Sequence, residues 1–224
     1  VTGIDMSDAN LTGISAKQLI GTPKALPRRW KFLKSTLIGP GADVSGLNLS
    51  GTSLSGVDLA GANLSGADLS NVAMVGVGSG RISGVPAALP AGWKLTGGYL
   101  IGPGANLTGA VMAGMNLAQV NLSGATLTGV RSGGISGPIK TLPRFWSFAG
   151  GYLIGPRANL SGASLGGVDF GMASLDGANL TGANIGGARL GKASLTGVTG
   201  SGITGTPASL PKGWRLSGGE LTKS

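Results

Sequence analysis

Residues 57–69 decide the fold of this chain, and they read Val57-Asp58-Leu59-Ala60-Gly61-Ala62-Asn63-Leu64-Ser65-Gly66-Ala67-Asp68-Leu69. A five-residue unit repeats within them: a small apolar residue, Asp or Asn, Leu, a small polar residue and Gly. The same phase holds from Val44 to Met74, from Leu107 to Leu127 and from Leu160 to Leu195. A period of five matches neither the 3.6 residues of a helix nor the two residues of a strand. The pattern therefore predicts a repeat architecture.

Leu at every fifth position can join one core only if the chain turns after each unit. Four short segments then make a square coil, and stacked coils pair their backbone groups at the inter-strand spacing. An α-helical solenoid is disfavoured because Gly recurs in almost every unit and costs about 0.5–1 kcal/mol each relative to Ala. The predicted core residues are Leu49, Leu54, Leu59, Leu64, Leu69, Leu107, Leu117, Leu122, Leu127, Leu160, Leu165, Phe170, Leu175, Leu180, Leu190 and Leu195.

Two units show a resemblance to a known family most clearly. Ala62-Asn63-Leu64-Ser65-Gly66 and Ala178-Asn179-Leu180-Thr181-Gly182 closely resemble the A(D/N)LxG units of pentapeptide-repeat proteins. The resemblance covers the three runs of units and implies an all-β fold, a right-handed quadrilateral β-helix. It does not imply one function, because a fold does not carry an activity.

Four copies of a longer segment interrupt the units within what we expect to be a single solenoid domain, residues 1–224. Each copy contains Leu-Pro-x-x-Trp, and Leu-Ile-Gly-Pro follows in the first three. We call these segments the inserts; they span approximately residues 14–40, 77–103, 130–156 and 198–221. Because Pro cannot donate a ladder hydrogen bond, each insert is expected to bulge from the coil, with its Trp packed against Pro or the solenoid wall. Each five-residue segment forms one face of the square coil. If each insert counts as one face plus a loop, the first, third and fourth inserts lie on one face of the solenoid and the second lies on a neighbouring face.

Composition argues against an enzyme. The chain has no Cys and no His, so thiol nucleophiles, imidazole bases and the commonest metal ligands are missing. The segment Gly200–Gly205 matches a dinucleotide fingerprint by chance, since no helix is expected after it. Asn alternates with Asp before the central Leu, which indicates a polar turn-former rather than acid–base chemistry. We expect no cofactor and no small-molecule substrate, and no apolar run is long enough to span a membrane.

The net charge of +9 is concentrated in the inserts. Of 17 Lys and Arg residues, only Arg189 and Lys192 lie within the runs of units. Exposed Trp platforms or basic loops could bind sugars, bases or anions, whereas packed Trp rings and solubilising charges are the structural alternative. The candidate interaction residues are Arg28, Arg29, Trp30, Lys31, Trp93, Lys94, Arg144, Trp146, Arg157, Lys212, Trp214 and Arg215.

Three non-enzymatic functions remain. The favoured hypothesis is a rigid structural or interaction scaffold, compatible with a segment of a longer bacterial envelope or assembly protein, that stacks end to end through uncovered coils. The alternative is a module that binds anionic polymers through the basic inserts. A third hypothesis comes from the resemblance: some family members modulate DNA gyrase by imitating duplex DNA, which requires a strongly negative surface that this chain lacks. The compartment is left open, with an extracellular or envelope location slightly favoured.

Overall fold

The computed structural model describes residues 1–223, and within them the chain forms short strands and turns without a helix. Four antiparallel hairpins, one in each insert, contain all the named strands. Their bounds are β1 Lys31–Leu33, β2 Thr36–Ile38, β3 Lys94–Thr96, β4 Tyr99–Ile101, β5 Ser147–Ala149, β6 Tyr152–Ile154, β7 Trp214–Ser217 and β8 Glu220–Lys223.

Single parallel bridges join the five-residue units into coils. Asp43 pairs with Asn63 and Asn63 pairs with Ser83, so an uninterrupted coil takes twenty residues, or four units. Most central residues also donate their backbone N–H to the next coil, as Leu64 does to the carbonyl of Ser83 at 2.9 Å. The all-β repeat solenoid is confirmed, and its backbone groups are satisfied by the stacking of coils.

Backbone contacts divide the chain into two compact units, Val1–Leu107 with Val120–Thr126, and Thr108–Gln119 with Leu127–Ser224. We call these the first unit and the second unit, as distinct from the five-residue units of the repeat. Each has an apolar axis of central residues flanked by Ala or Val from two positions earlier. Every core residue predicted from the sequence is at most 3 % exposed.

The hairpins contribute to the core, which the sequence analysis did not foresee. Ile38, Leu100, Ile101, Leu153 and Ile154 are all fully buried. Their strands, β2, β4 and β6, end one residue before a Gly that lies in the phase of the central Leu, so each of these three hairpins supplies one side of a coil.

The departure from the regular ladder is therefore shorter than the inserts themselves. In the second insert Gly78, Ser83 and Ala88 still make parallel bridges, and Gly78 then pairs with Asn106, 28 residues further on. The expectation that a whole insert bulges from the coil is wrong: only the segment between Ala88 and Gly102 leaves the five-residue phase, and it lengthens the coil by eight residues.

The bridges also fix which side of a coil carries each hairpin. In the first unit, β2 leads into Asp43 and β4 leads into Asn106, which lie on neighbouring sides, so the first two hairpins differ by one side. In the second unit, β6 leads into Asn159 and β8 follows Ser209, and both hairpins lie on the side of Ser174. Within each unit these positions agree with the predicted face count.

Candidate functional site

Each insert contains a tight turn built by its Pro-x-x-Trp segment. The backbone N–H of the Trp donates to the carbonyl of the Pro in all four copies, for example from Trp93 to Pro90 at 3.1 Å. The third residue of the turn has a positive φ, as a type II turn requires. It is Arg29 (69°), Gly92 (80°), Phe145 (68°) or Gly213 (79°). Two of the four turns therefore place a large side chain where Gly is the unstrained choice.

The Trp ring packs inward from this turn. Trp30, Trp93 and Trp146 lie over Gly39, Gly102 and Gly155 so closely that a Cβ on any of these glycines would overlap the indole. These glycines occupy the position of the central Leu, and the half-buried rings fill the space of that missing side chain. Trp214 likewise packs against the core of the second unit. Of the two alternatives for the Trp residues, packing is the one that the structure supports.

The basic residues of the first insert make contacts within the protein. The Arg29 guanidinium lies 3.7 Å from the Asp58 carboxylate, and the Lys31 ammonium donates to the carbonyl of Ser53 at 2.9 Å. Arg28 and Arg29 are both exposed in the turn. The predicted cluster therefore contains two residues with contacts to the coils, Arg29 and Lys31, and Arg28, which is exposed at the second position of the turn.

The remaining basic candidates lie in or directly after the other three inserts. Lys94 is half-buried on β3, while Arg157 is exposed just after β6. The Arg144 guanidinium lies 4.7 Å from the centroid of the Phe145 ring, a cation–π contact. Lys212 and Arg215 are exposed in and after the last turn. The structure thus distributes the candidates over the turns, strands and flanking residues of four separate hairpins.

The Asn and Asp side chains serve the coil corners. Their Oδ1 atoms accept the N–H two residues on, from Ser65 to Asn63 at 3.1 Å and from Thr181 to Asn179 at 2.9 Å. This Asx-turn geometry confirms their interpretation as turn-formers. The Ser45 hydroxyl and N–H, with the Lys17 ammonium 3.0 Å away, lower the pKa of Asp43 to about 2.

Sequence reasoning missed two adjoining surface cavities in the second unit. One, of about 390 Å³, lies between Phe145–Ala149 and Asp169–Ala173. The other, of about 430 Å³, is lined by Asp169, Gly171, Arg189, Gly191, Lys192 and Ser209. A signal for these cavities was present in the sequence. Two five-residue units end in a large residue, Met172 or Lys192, and have their Gly one position earlier, at Gly171 or Gly191.

Among residues 1–223, no group of His, Cys, Asp and Glu side chains could hold a metal ion. The described chain also has no helix of the length and apolarity needed to cross a membrane.

Comparison with known proteins identifies the repeat. A family model described as pentapeptide repeats matches eight copies, over residues 41–74, 104–131 and 158–197. The crystal structure of HetL, a pentapeptide-repeat protein involved in heterocyst differentiation regulation in the cyanobacterium Nostoc sp., matches with 24 % identity and a TM-score of 0.20. That match covers 70 % of this chain, and 59 % of HetL. No functionally curated protein matches the chain. The family model and the four-unit coils together show that this chain is a pentapeptide-repeat protein.

Proposed function

We propose that this chain is a non-enzymatic interaction scaffold, in which the coils hold the insert turns rigidly and the turns contact partner proteins. The observation that carries this proposal is the distribution of large exposed side chains. The outward positions of the units are mostly Ser, Thr, Ala and Gly, whereas the turns present Arg28, Arg144, Phe145 and Lys212 to solvent. Large side chains on a rigid support are the usual anchors of protein interfaces.

Rigidity follows from the way in which the coils are built. In the second unit, Leu160, Leu180 and Leu190 are at most 1 % exposed, and their N–H groups donate to the neighbouring coil at 2.7–2.9 Å. A turn held by such a framework loses little conformational entropy when a partner binds.

A second copy of the chain is one partner that this scaffold would accept. Each coil presents a row of backbone donors and acceptors that only another coil satisfies, so an uncovered coil tends to pair. End-to-end association of copies, or with related subunits of an assembly, is the form of self-association that we propose.

Photo-crosslinking in the native host tests the scaffold. A benzoylphenylalanine placed at Ala91 or Arg144, both in insert turns, is expected to give higher-mass adducts. The same group at Ser65 or Thr181, which are exposed on the coils, is the matched control and is expected to give few. An adduct of twice the chain mass identifies a second copy. Adducts confined to the coil positions, or none at any position, would overturn the proposal.

A second candidate function is binding to anionic polymers, and one observation favours it. The second residue of the turn is Arg28, Arg144 or Lys212 in three of the four inserts, and all three are exposed. A cation recurring at one exposed position suits phosphate or sulfate groups spaced along a polymer. The net charge of +9 also argues against imitation of DNA.

Salt dependence tests this second function. Heparin is expected to bind at 50 mM salt and to lose affinity at least tenfold at 300 mM, because each neutralised anion releases counterions. Replacing Arg28, Arg144 and Lys212 together by Ser should abolish the binding, whereas replacing Lys31, which is held by Ser53, should change it little. Binding that is absent at 50 mM salt would contradict the polymer function.

A further inference from the structure

The two adjoining cavities of the second unit combine exposed apolar and cationic side chains. Phe145 is 61 % exposed and Met172 is 87 % exposed, and both line the cavity of about 390 Å³. Trp146, Phe148 and Phe170 line the same cavity. Exposed side chains of this size that converge on one concave surface are typical of an interaction site.

Phe145 is held in a conformation that its own packing does not explain. Its φ of 68° lies in the left-handed region, where a bulky side chain is strained. The equivalent residue is Gly92 in the second insert and Gly213 in the fourth. Arg29, the other exception, gains an ion pair with Asp58, whereas Phe145 stays largely exposed under the Arg144 guanidinium. Strain retained at an exposed residue indicates a role outside the fold.

Met172 is exposed because its five-residue unit places Gly fourth and the large residue last, the reverse of the usual order. Gly171 supplies the positive φ (52°) one position early, so Met172 occupies the corner that Gly takes elsewhere. The next coil repeats the sequence order with Gly191 and Lys192, although the φ of Gly191 is not positive, and the bridge from Asp169 to Arg189 sets the two five-residue units side by side. The two glycines leave open the second cavity, which Arg189 and Lys192 border.

The charge around the two cavities is mainly positive. Arg189 and Lys192 line the second cavity, and Arg144 lies over the Phe145 ring. Asp169 is the acidic residue among the lining side chains, and Arg189 lies 4.0 Å from it. A ligand that covers both cavities must therefore present an apolar group beside negative charge.

We propose that the two cavities together bind a short acidic peptide segment of a partner protein. An apolar or aromatic side chain of the segment inserts between Phe145 and Met172, where the flexible thioether adapts to its shape. Neighbouring carboxylates pair with Arg189 and Lys192. This proposal rests on the scaffold function and names the class of partner. The apolar lining of the first cavity favours a peptide over a nucleic acid, which needs a longer row of cations along its backbone.

Selection of peptides with the full chain as bait tests the site. The probe is a displayed library of random twelve-residue peptides, and we expect enrichment of sequences that combine one aromatic residue with at least two acids. The enriched peptide, labelled with a fluorophore, is then titrated by anisotropy. Phe145→Gly, Met172→Ser and Lys192→Ser are each expected to weaken binding at least tenfold.

The controls separate binding from folding. Phe145→Gly should melt no lower than the parent, because Gly is found at the same turn position in the second and fourth inserts. Val85→Ser removes a side chain that is 78 % exposed in the first unit and should leave binding unchanged. Failure to enrich acidic aromatic peptides, or an affinity unaffected by Phe145→Gly, would overturn the site.

The remaining outcomes distinguish this site from its alternatives. An eight-nucleotide oligothymidine that binds in a manner sensitive to Phe145→Gly, where no peptide is selected, would replace the peptide by a nucleic acid. Photo-adducts at Arg144 without peptide enrichment would leave the scaffold standing and refute this site. Peptide binding with adducts confined to the coil positions would support the site and refute the scaffold.

Discussion

Leu180→Lys is expected to lower the free energy of unfolding by several kcal/mol, the largest effect of any single substitution considered for this protein. Leu180 is fully buried on the axis of the second unit, and its backbone is held by the N–H···O bond to Thr199 at 2.7 Å. The Lys ammonium would have no carboxylate on that axis, and an unpaired charge in an apolar core costs several kcal/mol. The loss of the Leu contacts adds about 2–5 kcal/mol.

Thr181→Lys is the matched control, because Thr181 is the next residue and is exposed. Its N–H bond to Asn179 involves the backbone and survives the change. Thermal and urea unfolding followed by circular dichroism should separate the two variants clearly, with Thr181→Lys close to the parent. Equal melting temperatures for Leu180→Lys and the parent would show that the inward and outward faces of the units are reversed.

The repeat could be predicted because the residues that determine the structure of each five-residue unit lie within that unit. Leu180 is buried, Asn179 closes the corner and Gly182 takes the positive φ of 67°, and all three lie within five residues. Stacking requires only that the neighbouring coil has the same pattern. Local sequence preferences and long-range contacts therefore favour the same structure, and such consistency makes a fold predictable from sequence.

The hairpins were not predicted, although a signal for them was present. Their strands are mostly three residues long, too short for a period-two pattern to be recognised. The turn signal was the Gly pair at Gly97-Gly98, with φ of 57° and 76°, which recurs at Gly150-Gly151 and Gly218-Gly219. Two positive φ values between short strands indicate a tight hairpin turn. The prolines suggested a loop instead, because they precede the strands.

The candidate site was predicted only in part, because its contacts join distant residues. The partner of Arg29 is Asp58, and no local pattern connects them. The two cavities of the second unit depend on the stacking of two five-residue units in which Gly precedes the large residue, at Gly171-Met172 and Gly191-Lys192. Their alignment becomes visible only when the coils are paired. The sequence indicated which residues are unusual, but only the coil register showed which of them meet.

Gly155→Ala is expected to destabilise the protein by about 1–3 kcal/mol or more, as overpacking of a filled core does. A Cβ at Gly155 would overlap the indole of Trp146. The Gly155 backbone cannot easily retreat, since its carbonyl accepts the N–H of Ala158 at 3.1 Å. The Trp ring must then leave the site where it replaces a central Leu. Since the φ of Gly155 is not positive, the cost comes from the ring and not from backbone strain.

Gly166→Ala provides the control for this substitution. Gly166 also has no positive φ, and the nearest atom to an added Cβ is the Gly186 carbonyl oxygen at 3.4 Å, so the change should be neutral or stabilise slightly by restricting the unfolded chain. A double-mutant cycle with Trp146→Ala completes the test by urea unfolding. If the indole is the obstacle, Gly155→Ala should cost much less in the Trp146→Ala background, because the two residues share one space. Strictly additive costs would mean that the Trp ring does not fill the Leu position, and that the inserts are held in place by their hairpin strands instead.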